Sequence, residues 1–346
     1  MSRADPQRLA FLRLARMILP GDDPRSIAHA ARVLRQGGLV GLPTETVYGL
    51  AANADDDRAV AAIYATKGRP ADHPLIVHLA EGADPARYAA QISPAAQALM
   101  RAFWPGPLTL ILPRRPGVAH AAAGGNASIG LRCPAHPVAQ ALLSALGGMA
   151  LAAPSANRFG RVSPTTAQHV VDELGPGLCV LDGGACPVGI ESTIVDCTRP
   201  LLQVLRPGMI GREALSAVCG PDLLLFPEHF TQFGPAPKAS GTLESHYAPS
   251  ARVRLMNSAA LETALRERAL PARCAIWHRS ALDTPQPLPP GLQLARMPGD
   301  AAAAAQTLFA TLRAFDQQGV TEIWVETPPA DPAWDGVRDR LRRAAH

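Results

Sequence analysis

Between residues 25 and 213 short apolar runs alternate with amphipathic stretches of helical period, and that alternation commits the segment to a many-stranded α/β sheet. Leu39-Val40-Gly41-Leu42 is one such run. Others fall at Leu75–Leu79, Leu108–Leu112, Ser128–Arg132, Met149–Ala153, Cys179–Leu181, Thr193–Asp196 and Gln203–Leu205, with helical patterns at 57–66, 94–103, 137–146 and 165–174 between several of them. Asp23-Pro24 and Ser93-Pro94 each set a capping side chain before a first-turn proline, and Gly37-Gly38 stops the helix that Asp23 starts. From Gly220 to Pro249 the periodicity gives way to Pro, Gly, Ser and His, over a stretch longer than an ordinary loop. Beyond it, strands at Val253–Met256, Ala275–His278, Leu292–Met297 and Glu322–Glu326 alternate with helices at 258–268, 301–318 and 333–344, the layout of a small parallel sheet. The 346 residues therefore divide into an N-terminal helical extension (1–24), an α/β domain (25–213), a linker (214–250) and a smaller α/β domain (251–346).

The basic charge is unusual in kind. Of 33 basic residues only Lys67 and Lys238 are lysines, so in a chain that otherwise uses arginine those two positions ask for a reason. Against 29 acidic residues the net charge of +4 is too small and too evenly spread to mark a nucleic-acid surface. The six cysteines form no CxxC pair and no His/Cys cluster at zinc spacing, which argues against a structural metal or a redox dithiol. Phe11 to Leu19 is broken by Arg13 and Arg16 and is too charged for a signal peptide. The expectation is a cytoplasmic protein without membrane attachment.

No GxxxxGK[ST] loop is present, and no GxGxxG opens a helix after a strand, so any nucleotide must be held by side chains and ordinary loop amides. Polar groups do gather beside the apolar runs. Pro43-Thr44-Glu45-Thr46-Val47-Tyr48-Gly49-Leu50 follows one strand directly, where open α/β sheets bind ligands. Lys67-Gly68-Arg69-Pro70 ends a helix with a point charge and a planar fork, a pair suited to a triphosphate, although cations also suit any helix C-terminus. His78 and Arg132 lie on apolar strands. A histidine there is as readily a satisfied core residue, while a buried arginine needs an anion, whether structural or a ligand carboxylate. Ala153-Pro154-Ser155-Ala156-Asn157 turns sharply off another strand and lacks the elbow of a hydrolase nucleophile. Glu191-Ser192-Thr193 and Arg206-Pro207-Gly208 repeat the pattern, and together these groups describe a ligand cleft.

In their order these motifs, with Pro74-Leu75-Ile76-Val77-His78, Trp104-Pro105-Gly106-Pro107-Leu108-Thr109 and His246-Tyr247-Ala248-Pro249, closely resemble the L-threonylcarbamoyladenylate synthase family in its long form. The resemblance implies a YrdC-like catalytic domain with a twisted mixed sheet, a linker serving as active-site lid, and a Rossmann-like C-terminal domain. It implies synthesis of threonylcarbamoyl-AMP and pyrophosphate from L-threonine, bicarbonate and ATP, with Mg2+ accompanying the ATP and no structural metal. The product would feed a downstream complex that transfers the threonylcarbamoyl group to tRNA, with at most a weak tRNA contact by this chain. The family's catalytic tetrad falls on Lys67, Arg69, Ser155 and Asn157. Its ATP contacts fall on Arg69, His73, Ser128, Ser155, Ser163, Arg206 and Tyr247, and its threonine contacts on Thr46, His78, Arg132, Ala153 and Ser192. Lys67 and Arg69 would offset triphosphate charge while Arg132 forks onto the threonine carboxylate.

The chain departs from the family pattern twice. His73 stands where asparagine is common, and Pro237-Lys238-Ala239-Ser240-Gly241-Thr242-Leu243-Glu244-Ser245 replaces the usual Pro-Gly-Met element before His246. The loop is still expected to close over the cleft, with Tyr247 covering the nucleotide and Lys238 near phosphate or bicarbonate. Two other functions fit parts of the sequence. A double-stranded RNA or tRNA-binding module is opposed by the small net charge and the scarcity of lysine. A carbamoyltransferase like the related domain of hydrogenase maturation proteins would bring zinc-type CxxC motifs, which are missing.

Overall fold

The computed structural model describes residues 18–226, 238–241, 246–284 and 287–346. Eleven strands form the large sheet: β1 (Ile18–Pro20), β2 (Val40–Leu42), β3 (Gly49–Asn53), β4 (Ile76–His78), β5 (Leu108–Pro113), β6 (Ser128–Arg132), β7 (Leu151–Ala152), β8 (Cys179–Asp182), β9 (Thr193–Asp196), β10 (Leu202–Arg206) and β11 (Leu224–Leu225). Their spatial order is β1-β8-β2-β3-β7-β4-β6-β5-β9-β10-β11. Parallel pairs such as β4 with β6 and β5 with β9 alternate with antiparallel ones such as β4 with β7 and β9 with β10, so the sheet is mixed.

Local chemistry explains the helices on it. Asp23 caps the helix Pro24–Arg35 by accepting from the Arg25 amide at 2.9 Å, and the apolar face Ile27, Ala30, Ala31 and Leu34 is buried against Leu142 and Leu143 of the helix Pro137–Ala145. Full burial of each large side chain there contributes about 2 kcal/mol. Ser93 caps Pro94–Phe103 in the same way. The helix Asp57–Lys67 is capped by Asp56 and stops at Gly68, which adopts the left-handed conformation.

Two boundaries differ from expectation. Residues 1–17 of the expected helical extension lie outside the described residues, and Ile18–Pro20 is an edge strand paired in parallel with β8. The apolar pair Ile18-Leu19 is better placed against that edge than on a helix. The first domain also runs past 213: the helix Arg212–Cys219 packs on Pro94–Phe103, and β11 then extends the sheet beside β10.

The smaller sheet has β12 (Arg252–Met256), β13 (Cys274–His278), β14 (Leu292–Arg296) and β15 (Glu322–Glu326) in the order β12-β15-β13-β14, parallel throughout, as the alternating pattern predicts. Its core does not end at the domain boundary. Val47, Val162, Ile190 and Tyr247 belong to the same apolar cluster as Trp277, Leu308, Phe309 and Leu341. Ion pairs rim the contact, Arg313 to Glu173 at 3.1 Å and Arg212 to Asp335 at 2.8 Å.

Gly189 sits where the domains meet, at φ +81°, and a Cβ there would lie 2.4 Å from Gln306 Cα. No side chain can relieve a clash with backbone, and the left-handed conformation adds to it. Gly189→Ala should therefore lower stability by about 2 kcal/mol, read as a lowered thermal midpoint. An unchanged midpoint would show that the domains are not docked this closely.

Candidate functional site

The cleft, with about 40 Å3 of free volume, lies across one face of the large sheet rather than along one row of strand ends. The mixed strand directions are the reason. Ile76 and His78 share a face of β4 and both line the cleft, while antiparallel β7 brings Ala153 out beside Ile76. Of the predicted residues, Thr46, Arg69, His78, Arg132, Ala153, Ser155, Ser192, Arg206 and Tyr247 line this cleft together.

Lys67 does not line it. Its side chain is buried, and Nζ donates to the carbonyls of Ser155 at 2.6 Å and Asn157 at 2.5 Å. Burial, with Arg69 nearby, pulls its pKa well below the usual lysine value. In this structure, then, the Lys67 amino group holds the Ser155–Asn157 loop from behind rather than facing the cleft. Asn157 also stands behind it, donating Nδ2 to the carbonyls of Arg158 and Arg161.

The arginines do face the ligand space. Arg69 donates to the carbonyls of His73 at 3.3 Å and Pro74 at 2.9 Å, and to Ser240 Oγ at 3.4 Å; burial lowers its pKa to about 10. Arg206 donates to Ser192 O, Ser192 Oγ and Ser240 O. Buried guanidiniums whose hydrogen bonds, among the described residues, go to carbonyl and hydroxyl oxygens are suited to receive an anion. Arg132 differs: beside bonds to Thr46 Oγ1 (2.9 Å) and Gly106 O (3.3 Å), it forms an ion pair with Glu45 at 2.7 Å, both side chains buried. Its anion is therefore already structural, yet five donors leave capacity for a ligand carboxylate beside Glu45. Thr109 Oγ1, 2.8 Å from Ser192 Oγ, fixes that hydroxyl from β5.

A lid covers the cleft. Ser240 Oγ donates to Pro74 O at 2.7 Å, Ala239 packs on the cluster of Ile76, Ile111, Ile194 and Leu205, and Ser240 and Gly241 line the cleft. Tyr247, at φ +62°, is buried, and among the described residues its hydroxyl has no hydrogen-bond partner. Gly241, at φ +71°, makes this approach possible, because a Cβ would stand 2.3 Å from that hydroxyl. Pro237 and Thr242–Ser245 lie outside the described residues. Lys238 is not at the cleft: it forms an exposed ion pair with Asp72 at 2.6 Å and lines an adjoining cavity of about 110 Å3. His73 lines that cavity too, edge-on to Phe159 at 5.6 Å.

Two predicted nucleotide contacts stand apart. Ser128 opens β6 outside the cleft lining, and the buried Ser163 hydroxyl donates to Glu191 Oε1 at 2.5 Å. Glu191 lines the cleft and was not predicted as a site residue, nor was Glu45; both carboxylates sit inside motifs already noted for their hydroxyls. Burial alone would raise the pKa of Glu191, but Arg340, Arg206 and the Ser163 hydroxyl outweigh it and hold the carboxyl below its usual range. Arg340, from the C-terminal domain, carries no local signal in the sequence.

The fold is a mixed α/β one, and its cleft is lined by the buried arginines Arg69, Arg132 and Arg206. Residues 32–208 match the family described as "Telomere recombination", and residues 210–346 the family described as "Threonylcarbamoyl-AMP synthase, C-terminal domain". Threonylcarbamoyl-AMP synthase of Schizosaccharomyces pombe is 33% identical over 377 residues, covering 95% of this chain and 91% of its own. The Pyrococcus abyssi enzyme of that name is 43% identical over 228 residues, and that alignment spans 66% of each chain. Among solved structures, P. abyssi Sua5 complexed with L-threonine superposes with a TM-score of 0.81 at 35% identity, over 92% of this chain and 94% of that one. The chain belongs to the threonylcarbamoyl-AMP synthase family, in its long two-domain form, and is an enzyme of the nucleotidyltransferase type. No described helix is long and apolar enough to cross a membrane.

His78 and His246 are buried, and burial pushes each down to about 3, with Arg132 adding to the effect at His78. The unfolded chain takes up these protons below about pH 6.5 while the folded chain does not. Stability from this source is complete above that pH and declines as pH falls toward the folded value. Each histidine contributes about 1.4 kcal/mol per pH unit in that window. His78→Gln should remove about one proton from the pH dependence of unfolding measured by chemical denaturation near pH 5 to 6. An unchanged slope would show that His78 is not buried neutral.

Proposed function

We propose that the cleft binds L-threonine against Arg132 and ATP against Arg69 and Arg206, and joins them with bicarbonate into threonylcarbamoyl-AMP. The carrying observation is the set of buried guanidiniums around one cleft, beside a phenol that has no hydrogen-bond partner among the described residues, in a chain of this family. Relatives bear the synthase name, and one was solved with L-threonine bound.

The chemistry needs no protein nucleophile. The threonine amine, once deprotonated, attacks the carbon of bicarbonate and water departs, leaving a carbamate. A carbamate oxygen then attacks the α-phosphorus of ATP and pyrophosphate leaves. What the chain supplies is alignment and fixed positive charge. Arg132, held by Glu45 and Thr46, fixes the threonine carboxylate, with Ala153 and the Ser192 hydroxyl beside it. Arg69 and Arg206 face the phosphates, Ser155 presents its hydroxyl from the loop that Lys67 and Asn157 support, and Tyr247 closes over the nucleotide. His73 and Phe159 extend the nucleotide site into the adjoining cavity. Neutral His78 contributes shape and hydrogen bonding without charge. Ser163 acts by holding Glu191, and Ser128 keeps no contact in this arrangement.

Mg2+ is expected to arrive with the nucleotide. Among the described residues no three His, Cys, Asp or Glu side chains gather to hold a metal, and Glu191 in the cleft and Glu45 behind Arg132 are each paired with an arginine. The residues do not fit a protein-held metal, and no step is assigned to one. The product would pass to a complex that transfers the threonylcarbamoyl group to tRNA.

The test is to supply ATP, L-threonine and bicarbonate and to follow pyrophosphate together with the adenylate product. Omitting threonine or bicarbonate should abolish both; pyrophosphate release that persists without them would overturn the proposal. Arg132→Lys, which keeps the charge and loses the fork, should raise the KM for threonine about tenfold, a cost of roughly 1.4 kcal/mol. The KM for ATP should change by less than about threefold, and a larger change would place Arg132 on the nucleotide instead.

A further inference from the structure

Arg340 lies on the helix Asp335–Ala344, in the C-terminal domain, yet its fully buried guanidinium ends at the wall of the cleft. Nε donates to Glu191 Oε2 at 2.8 Å, Nη2 to Glu191 O at 3.1 Å and Nη1 to Pro207 O at 2.8 Å. The same nitrogen meets Asp339 Oδ2 at 2.9 Å, and the guanidinium carbon stands 5.4 Å from the centre of the Tyr247 ring. One side chain thus clips three segments. Glu191 precedes Ser192, Pro207 follows Arg206, and Tyr247 is the lid residue; Arg206 in turn bonds Ser192. Phe309 of the C-terminal domain supports the other side of the contact, with ring centres 5.4 Å apart from Tyr247.

We infer that Arg340 is a positioning residue through which the C-terminal domain completes the nucleotide side of the cleft. The inference rests on the assignment of that cleft to ATP and threonine. A guanidinium can satisfy the Glu191 carboxylate and two backbone carbonyls at once because its donors lie in one plane; an ammonium on a flexible stem cannot hold all three in register. Without the clip, the Glu191-Ser192 and Arg206-Pro207 segments lose their common tie and Tyr247 loses the charge beneath its ring. Coupling of this kind is reciprocal. If the clip favours ATP binding, bound ATP must favour the clip by the same factor.

Arg340→Lys and Arg340→Met in the full chain test it. Both should weaken ATP, measured as affinity by titration and as KM, about tenfold or more. The KM for threonine should change by less than about threefold, and the lysine variant should not rescue. Lysine that restores wild-type ATP affinity would reduce Arg340 to a charge balance for Glu191 and overturn the inference. So would folded variants that bind ATP as wild type does. Should both variants fail to fold, hydrogen exchange on the wild-type chain decides: ATP should slow exchange in the helix Asp335–Ala344 about fivefold, and no change there would refute the coupling. Wild-type chain that binds ATP but releases no pyrophosphate with threonine and bicarbonate would instead refute the synthase assignment, leaving the ATP coupling to be judged on its own.

Discussion

Lys67 carries its amino group into a place with almost no access to water, and two backbone carbonyls meet it there. Burial disfavours the charged form and pulls its pKa well below the usual value, and the two bonds of good geometry satisfy its donors. The carbonyls it holds belong to Ser155 and Asn157, so the side chain fixes the path of the loop that leaves β7. That loop sets the Ser155 hydroxyl and the Ala153 backbone at the cleft, and Gly49 bridges to Ser155 from β3. The position of everything else on that wall follows from the same pair of bonds.

The arginines obey the same constraint with a different outcome. Arg132 is balanced by Glu45, so it stays fixed whether or not a carboxylate is bound. Arg69 and Arg206 have no ion pair among the described residues and donate to carbonyl and hydroxyl oxygens, and both share Ser240 of the lid. The lid is therefore tied to the two cations expected to face the phosphates. A nucleotide would compete for those donors, which gives the lid a physical reason to move with occupancy.

Much of this was legible in the sequence because it was local. Caps and prolines placed the helix starts at Asp23 and Ser93, and short apolar runs gave most strands to within a residue or two. β3 has no strand signal of its own because Gly49-Leu50 continues a motif rich in hydroxyls, and β1 is too short, at three residues, to show a strand pattern. Within the site, residue types and spacing found the arginines and hydroxyls. They did not reveal which way Lys67 points, since a lysine at a helix end can face a ligand or a neighbouring loop with the same pattern. Lys238 misled for the same reason: its partner, Asp72, lies far away in the chain. Arg340 was beyond reach altogether, because its partners Glu191, Pro207 and Tyr247 come from segments that only the docked domains bring together.

The central claim is that arginines on the sheet face hold the substrates while Lys67 holds the loop. A crystal structure of the chain with L-threonine and a non-hydrolysable ATP analogue tests it most directly. The account predicts the threonine carboxylate on Arg132 with the Glu45 pair intact, phosphates within hydrogen-bond reach of Arg69 and Arg206, and Lys67 still on the carbonyls of Ser155 and Asn157. Lys67 released from those carbonyls onto a phosphate, or threonine bound away from Arg132, would contradict it.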